Sequence, residues 1–220
     1  MPKFRIVGGK GKKNKKSDPP PFLPDYLRDS SLDIYNSIAK YPIQIPTYWN
    51  VNDCSRDLNI EGNLLSIKYN GEHRSAAVRA NNCIPKETGI YYFEIDILEG
   101  GDDNIISIGV STLNPSLSRQ AGWDPGSVGY HGDNGKKYLE YGHGIKYGPT
   151  FTTGDTIGCC INFYSWTIFF TKNGVNLGFA CSSNTFEKLY PVVGMKSLNS
   201  RIEANFGSRP FKFDIQLYTK

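Results

Sequence analysis

The residues that could do chemistry are few and scattered. Three histidines, His73, His131 and His143, sit in glycine- or charge-rich stretches. His131, Asp133 and Ser127 offer the members of a nucleophilic triad, in which an imidazole takes the hydroxyl proton and a carboxylate orients the ring. No strand–turn–helix glycine pattern surrounds the serine, so the sequence predicts solvated or turn-bonding residues instead. Glu94 and Asp96 could pair as glycosidase carboxylates only if both faced one groove; their place on one parity of a strand predicts that both meet solvent. Asp102-Asp103-Asn104 and Asp133-Asn134 carry calcium-ligating oxygens, yet acidic and amide residues at turns already serve the turns. The glycine-rich loops contain no GxxxxGK[ST] phosphate cradle. Cys54, Cys83, Cys159, Cys160 and Cys181 show no CxxC spacing and are an odd number, which predicts reduced, mostly buried thiols of an intracellular protein. No metal, no cofactor and no enzymatic activity are expected.

The elements that must position these residues read as strands. From Thr152 to Gly178, Ile157, Cys159, Ile161 and Phe163 share one parity and predict a core-facing edge, and Cys159 and Cys160 must face opposite ways. Trp166–Thr171 is β-branched and aromatic throughout, as suits a strand covered on both faces. Asn173-Gly174 accepts the positive φ angles of a type I′ turn, so the hairpin Thr156–Ala180 is expected at the centre of the fold. Upstream, Leu64–Tyr69 is expected to turn at Asn70-Gly71 and pair back with Ala76–Ala80. Gly89–Leu98 is the longest strand, with Tyr91, Phe93, Ile95 and Ile97 inward. Further short strands follow at Ile105–Ser111, Val128–His131, Lys137–Tyr141, Leu189–Met195 and Arg201–Phe206, with a long irregular stretch from Thr112 to Gly129. Many short strands broken by turn residues predict an all-β, bent antiparallel β-sandwich.

Ordered motifs add a family resemblance. GIYYFEIDIL (Gly89–Leu98), SIGVS (Ser107–Ser111), GWDPGSVGYHGDNG (Gly122–Gly135), YGPTFTTGD (Tyr147–Asp155), GDTIGCCINF, FFTKNGVNLGFA and LYPVVGM (Leu189–Met195) resemble, in sequence order, the SPRY domain, a concanavalin-like jelly roll. The likeness spans roughly Pro42 to Phe213 and is greatest to the Ran-binding-protein-M type, found in the ubiquitin-ligase complexes named for their LisH and CTLH motifs. It implies a non-catalytic module whose loops form a shallow, preformed pocket for a short peptide of a partner protein, acting as an adaptor or scaffold linked to such assemblies. Carried over by motif, Arg74, Trp123 and Tyr130 supply the arginine and aromatic elements, residue types that dominate binding hot spots. Trp123 has a second reading as a plug of the sandwich. His131 and Asp133, in YHGDNG, are signature residues with an alternative role in the turn. Lys196, Ser197 and Leu198 fill the third loop, where some relatives carry large aromatics, so the ligand cannot be transferred. The rival from another class is a calcium-dependent glycan binder or glycosidase on a jelly roll. In the resembled type LisH, CTLH and CRA modules follow the domain; a chain ending at Lys220 is then either a stand-alone adaptor or competitor, or a piece of a larger protein.

Charge divides the chain. Lys3, Arg5, Lys10, Lys12, Lys13, Lys15 and Lys16 meet no acid within residues 1–16, and the remainder carries 18 basic against 21 acidic residues, a net −3. Residues 1–21, basic and then Pro-rich, are expected to be a disordered leader. Residues 22–41 form a short helical or extended lead-in in which Leu27, Ile34 and Ile38 would share a face, and residues 42–215 form the sandwich domain. A mildly acidic globule gives no case for nucleic-acid binding, and no apolar run reaches the ~18–20 residues of a membrane-spanning helix. A monomer in the cytoplasm is expected, with nuclear entry through residues 10–16.

Overall fold

A computed structural model describes residues 23–40, 42–182 and 188–219; the basic leader and its expected disorder lie outside them. After a 3-10 turn at Asp25–Leu27 come α1 (Ser31–Ile38), β1 (Trp49–Cys54), β2 (Leu58–Ile60), β3 (Ser66–Tyr69), β4 (Ala76–Ala80), β5 (Ile90–Glu99), β6 (Ile106–Ser111) and β7 (Ser127–His131). β8 (Lys136–Leu139), β9 (Gly144–Lys146), β10 (Thr156–Asn162), β11 (Thr167–Lys172), β12 (Val175–Ser182), β13 (Tyr190–Met195), β14 (Arg201–Asn205) and α2 (Ile215–Tyr218) complete the chain. The strands form two antiparallel seven-stranded sheets. The first runs β1-β4-β13-β6-β7-β8-β9 and the second β12-β11-β10-β5-β14-β3-β2.

Between them lies the main core, with Trp49, Tyr91, Phe93, Ile108, Tyr130, Cys159 and Phe170 among its fully buried members. Trp49 anchors it: the indole donates to the Leu65 carbonyl at 2.9 Å and meets Phe206 edge-on. Cys159 joins this core while Cys160 enters a second cluster on the outer face of the second sheet, as their adjacency requires. The five thiols are free.

Three expectations are corrected. The Asn173-Gly174 turn forms with φ of 51° and 81°, but its strands lie at the end of a sheet whose middle strand is β5, because β5 pairs with both β10 and β14. β3 and β4 do not pair with each other. They belong to opposite sheets, so residues 70–75 form a crossover, in which the Tyr69 hydroxyl donates to the Arg74 carbonyl at 2.7 Å. The lead-in buries Leu27 and Leu32, whereas Ile34 and Ile38 are exposed. Asp29, at φ 58°, breaks the chain before the Ser30 cap, so one continuous helical face never forms.

β12 is held unusually. Its pairing with β11 shifts between Phe169↔Phe179 and Thr171↔Asn176. In that gap the Tyr147 hydroxyl accepts from the Phe170 amide at 3.0 Å and donates to the Gly178 carbonyl at 2.6 Å. Lys137, from the other sheet, donates to the Ala180 carbonyl at 2.6 Å.

Candidate functional site

Strand register gathers the loops. Ala76 pairs with Met195, Met195 with Ile106, and the neighbouring Ser107 with His131. The segments before β4 (70–75), after β13 (196–200), before β6 (100–105) and after β7 (132–135) therefore leave the first sheet at one end. They are fastened to each other. The Ser197 hydroxyl accepts from the Ile105 amide at 2.8 Å, the Leu198 carbonyl accepts from the Asp102 amide at 3.2 Å, and the Ser200 carbonyl accepts from the Tyr69 amide at 3.0 Å.

The segment 112–126 folds over the outer face of the same sheet. Buried polar side chains fix it there. Arg79 forks onto Asp53 at 2.7 and 2.9 Å and gives its remaining arm to the Pro115 carbonyl at 2.9 Å. The Ser107 hydroxyl donates to Gln120 at 2.6 Å and accepts from the Ala121 amide at 3.0 Å, and the Ser127 hydroxyl accepts from the Gly122 amide at 2.7 Å. Gln120 also reaches Ser75 at 3.5 Å, joining this segment to the one that carries Arg74. The close approach requires a bare backbone: a Cβ on Gly129 would lie 2.3 Å from the Ala121 carbonyl oxygen. These bonds run from buried side chains of the sheet to the backbone and side chains of the segment, so it is fixed along Pro115–Gly122, while the buried hydroxyls of Ser111 and Thr112 at its start have no partner among the described residues.

The expected site residues divide between surface and interior. Arg74, Asp133, Trp123 (41% exposed) and Leu198 (37%) reach solvent, and Lys196 is half-buried. Trp123 stacks on Tyr138, which stacks in turn on His131 at 3.9 Å; its indole is thus both backed by the fold and open on one side. Tyr130 does not reach the surface. It lies on the inward parity of β7, its ring meets Tyr147, Phe151 and Phe170, and its hydroxyl donates to Pro149. His131 faces outward from the sheet but is roofed by the 112–126 segment, with Nε2 on the Ala121 carbonyl at 2.8 Å. Burial pulls its imidazole down to about 4. Ser197 is buried as the acceptor that fastens two loops. Gln120, Ser107 and Arg79 were missed by sequence reasoning, since nothing in a single sequence marks a polar side chain as a loop anchor. Leu113 and Tyr141, exposed where the chain leaves β6 and β8 at the opposite end of the sheet, were also missed.

The catalytic alternatives are engaged elsewhere. Ser127, His131 and Asp133 do not meet as a triad, because the first two each hold a different backbone group of the 112–126 segment. Glu94 is buried rather than solvated, a correction to the parity reading. The C-terminal residues cover that face, and Glu94 accepts from the Lys212 and Phe213 amides and the Tyr92 hydroxyl. Asp96 pairs with Arg209 and Thr156. Among the described residues no three metal-ligating side chains gather, and no helix is long and apolar enough to cross a membrane.

A family model of the SPRY domain matches residues 90–209. Ran-binding protein 9 of Danio rerio is 40% identical over 191 residues, which is 85% of this chain and 32% of that protein. Ran-binding protein 10 of Danio rerio is 42% identical over 196 residues, 87% and 32% respectively, and the Ran-binding protein M homolog of Arabidopsis thaliana is 37% identical over 180, 80% and 38%. The chain thus spans about a third of the length of the curated relatives it matches. A crystal structure of a human SPRY domain superposes with a TM-score of 0.62 at 31% identity, covering 70% of this chain and 98% of that one. The SPRY domain of human HERC1 gives the same score at 19% identity, covering 74% and 99%, which speaks to the fold alone.

Proposed function

The chain belongs to the SPRY family, and from that premise we propose that it is a non-catalytic interaction module that grips a short linear segment of a partner protein on the loop end of its first sheet. The observation that carries the reading is the fastening of separate loops by buried hydrogen bonds, with Arg74, Trp123 and Leu198 left at the surface. A surface already ordered does not lose loop entropy on binding, so a few contacts suffice for affinity. Arg74 supplies a fork for a peptide carboxylate or carbonyl, and Trp123 an aromatic face with its far side supported. The reading extends to an adaptor or scaffold role linked to ubiquitin-ligase assemblies, which rests on the resemblance to the Ran-binding-protein-M type alone.

The test is selection from a displayed peptide library, followed by titration of the enriched peptides against wild-type protein and the Arg74→Ala and Trp123→Ala variants. Each truncation is expected to cost about 2 kcal/mol, roughly thirtyfold in Kd, with the melting temperature within about 2 °C of wild type. Enriched peptides that bind both folded variants with unchanged affinity would move the surface elsewhere.

A further inference from the structure

The outer face of the second sheet is covered by the chain itself. Tyr92, Cys160, Phe169 and Ile215 form a buried cluster there, joined by Phe211 and Phe213. The covering segment follows an anchored turn: the Asn205 side chain binds the Gly207 amide at 2.9 Å and the Arg209 carbonyl at 3.0 Å. Beyond that turn the attachment changes character. Among the described residues the backbone hydrogen bonds of 211–218 are local to the segment, joining Phe213 to Ile215 and Asp214 to Tyr218. Two backbone amides of the segment reach the sheet, those of Lys212 and Phe213, and both end on the buried carboxylate of Glu94, at 2.9 and 3.1 Å. Beside the segment, between it and Pro24–Tyr26, lies an open groove of about 520 Å³, which gives it room to move.

We propose that residues 211–218 are a strap that opens as a unit with the sandwich intact, and that Glu94 is its latch. The reasoning is one of unequal attachment. β5 and β10 are joined by seven residue pairs of ladder, whereas the strap holds by one carboxylate, the buried Ile215, the rings of Phe211, Phe213 and Tyr218 against Tyr92 and Phe169, and a long bond of 3.5 Å from Asn162 to the Tyr218 hydroxyl. Local opening draws on the segments with the fewest buried contacts and backbone bonds. The carboxylate is also a costly anchor. Burial pushes it above the usual carboxylate range against the pull of the Lys212 and Phe213 amides, so its hold depends on keeping both donors in place.

The adjacent cysteines report opening directly. Cys160 lies in the cluster under the strap, and Cys159 faces the main core. Opening of the strap exposes Cys160 alone, whereas global unfolding exposes both. The experiment labels the native full chain with a thiol reagent over time and reads each site by peptide mass spectrometry. Wild-type protein is expected to label at Cys160 at least tenfold faster than at Cys159. Glu94→Gln, which sets an amide where two N–H groups need an acceptor, is expected to raise the Cys160 rate a further tenfold and leave Cys159 unchanged. Phe213→Ala weakens the strap without disturbing the buried carboxylate and is expected to act in the same direction, so the idea remains testable if Glu94→Gln fails to fold. Equal rates at the two cysteines in wild type, or a Cys160 rate untouched by Phe213→Ala, would overturn the proposal.

Discussion

Acidification should weaken this protein through one imidazole. His131 is buried beneath the 112–126 segment, with its ring against Tyr138 and Nε2 on the Ala121 carbonyl, and burial lowers its pKa from 6.5 to about 4. The depressed value means the unfolded chain takes up the proton first. His131 therefore contributes its full stabilisation above pH 6.5 and loses it progressively as the pH falls towards 4. A tenfold change in proton affinity is about 1.4 kcal/mol, so the loss by pH 4 is about 3 kcal/mol. Other carboxylates titrate in the same range, which makes a difference measurement necessary. Urea unfolding of wild-type protein and of His131→Phe, at pH 7.5 and at pH 4, cancels every group the two share. Phenylalanine leaves the Ala121 carbonyl without its donor at both pH values, a constant offset. The gap in unfolding free energy between the two proteins should shift by about 3 kcal/mol in favour of the variant on going to pH 4. Protonation leaves the Nε2–H bond to the Ala121 carbonyl in place and acts through the cost of a charge buried beneath the 112–126 segment, so that segment should open, and peptide affinity fall, over the same pH range. A gap that stays constant between the two pH values would refute the reasoning: either the imidazole is not buried neutral, or it remains buried in the unfolded ensemble.

Two further outcomes follow from close approaches in the fold. Gly129→Ala places a methyl group 2.3 Å from the Ala121 carbonyl oxygen, and should cost about 1–3 kcal/mol in denaturant unfolding while speeding amide exchange between residues 117 and 123 more than in β10. Tyr147→Phe removes the hydroxyl that bridges the Phe170 amide and the Gly178 carbonyl, and should cost about 1–3 kcal/mol, with faster exchange at β12 and little change at β5; an unchanged midpoint would mean that water replaces the bridge.

The strands were legible because alternation and turn chemistry are local. Ile157, Cys159 and Ile161 share a parity, and Asn173-Gly174 carries its own turn type, so both could be read without knowing what lay across the sheet. Strand order is set by partners distant in sequence. Nothing near Tyr69 says that its neighbour is β14 rather than β4, and a glycine after Asn70 looks like a hairpin whether or not the chain crosses to the other sheet. Glu94 shows the same limit in a side chain. Its parity opposite Tyr91 and Phe93 places it correctly on the outer face, but whether that face is wet depends on residues 211–218, more than a hundred positions away. Tyr130 failed differently. A tyrosine flanked by glycine and histidine in a loop-rich stretch resembles a ligand-binding aromatic, but the β7 pleat directs it inward and its polar end is satisfied by Pro149.

The two outer faces of the sandwich are treated differently, and that difference bears on where a partner can bind. On the second sheet the lead-in and the C-terminal segment lie against the face: the Tyr26 hydroxyl accepts from the Tyr92 amide at 2.8 Å and Phe211 packs on the Tyr92 ring. A partner there must first displace the chain's own residues and repay that loss. On the first sheet the covering segment is internal to the chain, fixed at Pro115, Gln120, Ala121 and Gly122 by buried side chains. Displacing it would take from Arg79, Ser107, Ser127 and His131 the partners they hold in it, at a cost of about 1–3 kcal/mol for each group left unsatisfied. The first face therefore remains closed and presents a fixed exterior, from which Trp123 opens to solvent above Tyr138. Binding that relies on a preformed surface belongs there; binding that relies on exchange of one segment for another belongs to the face held by Glu94.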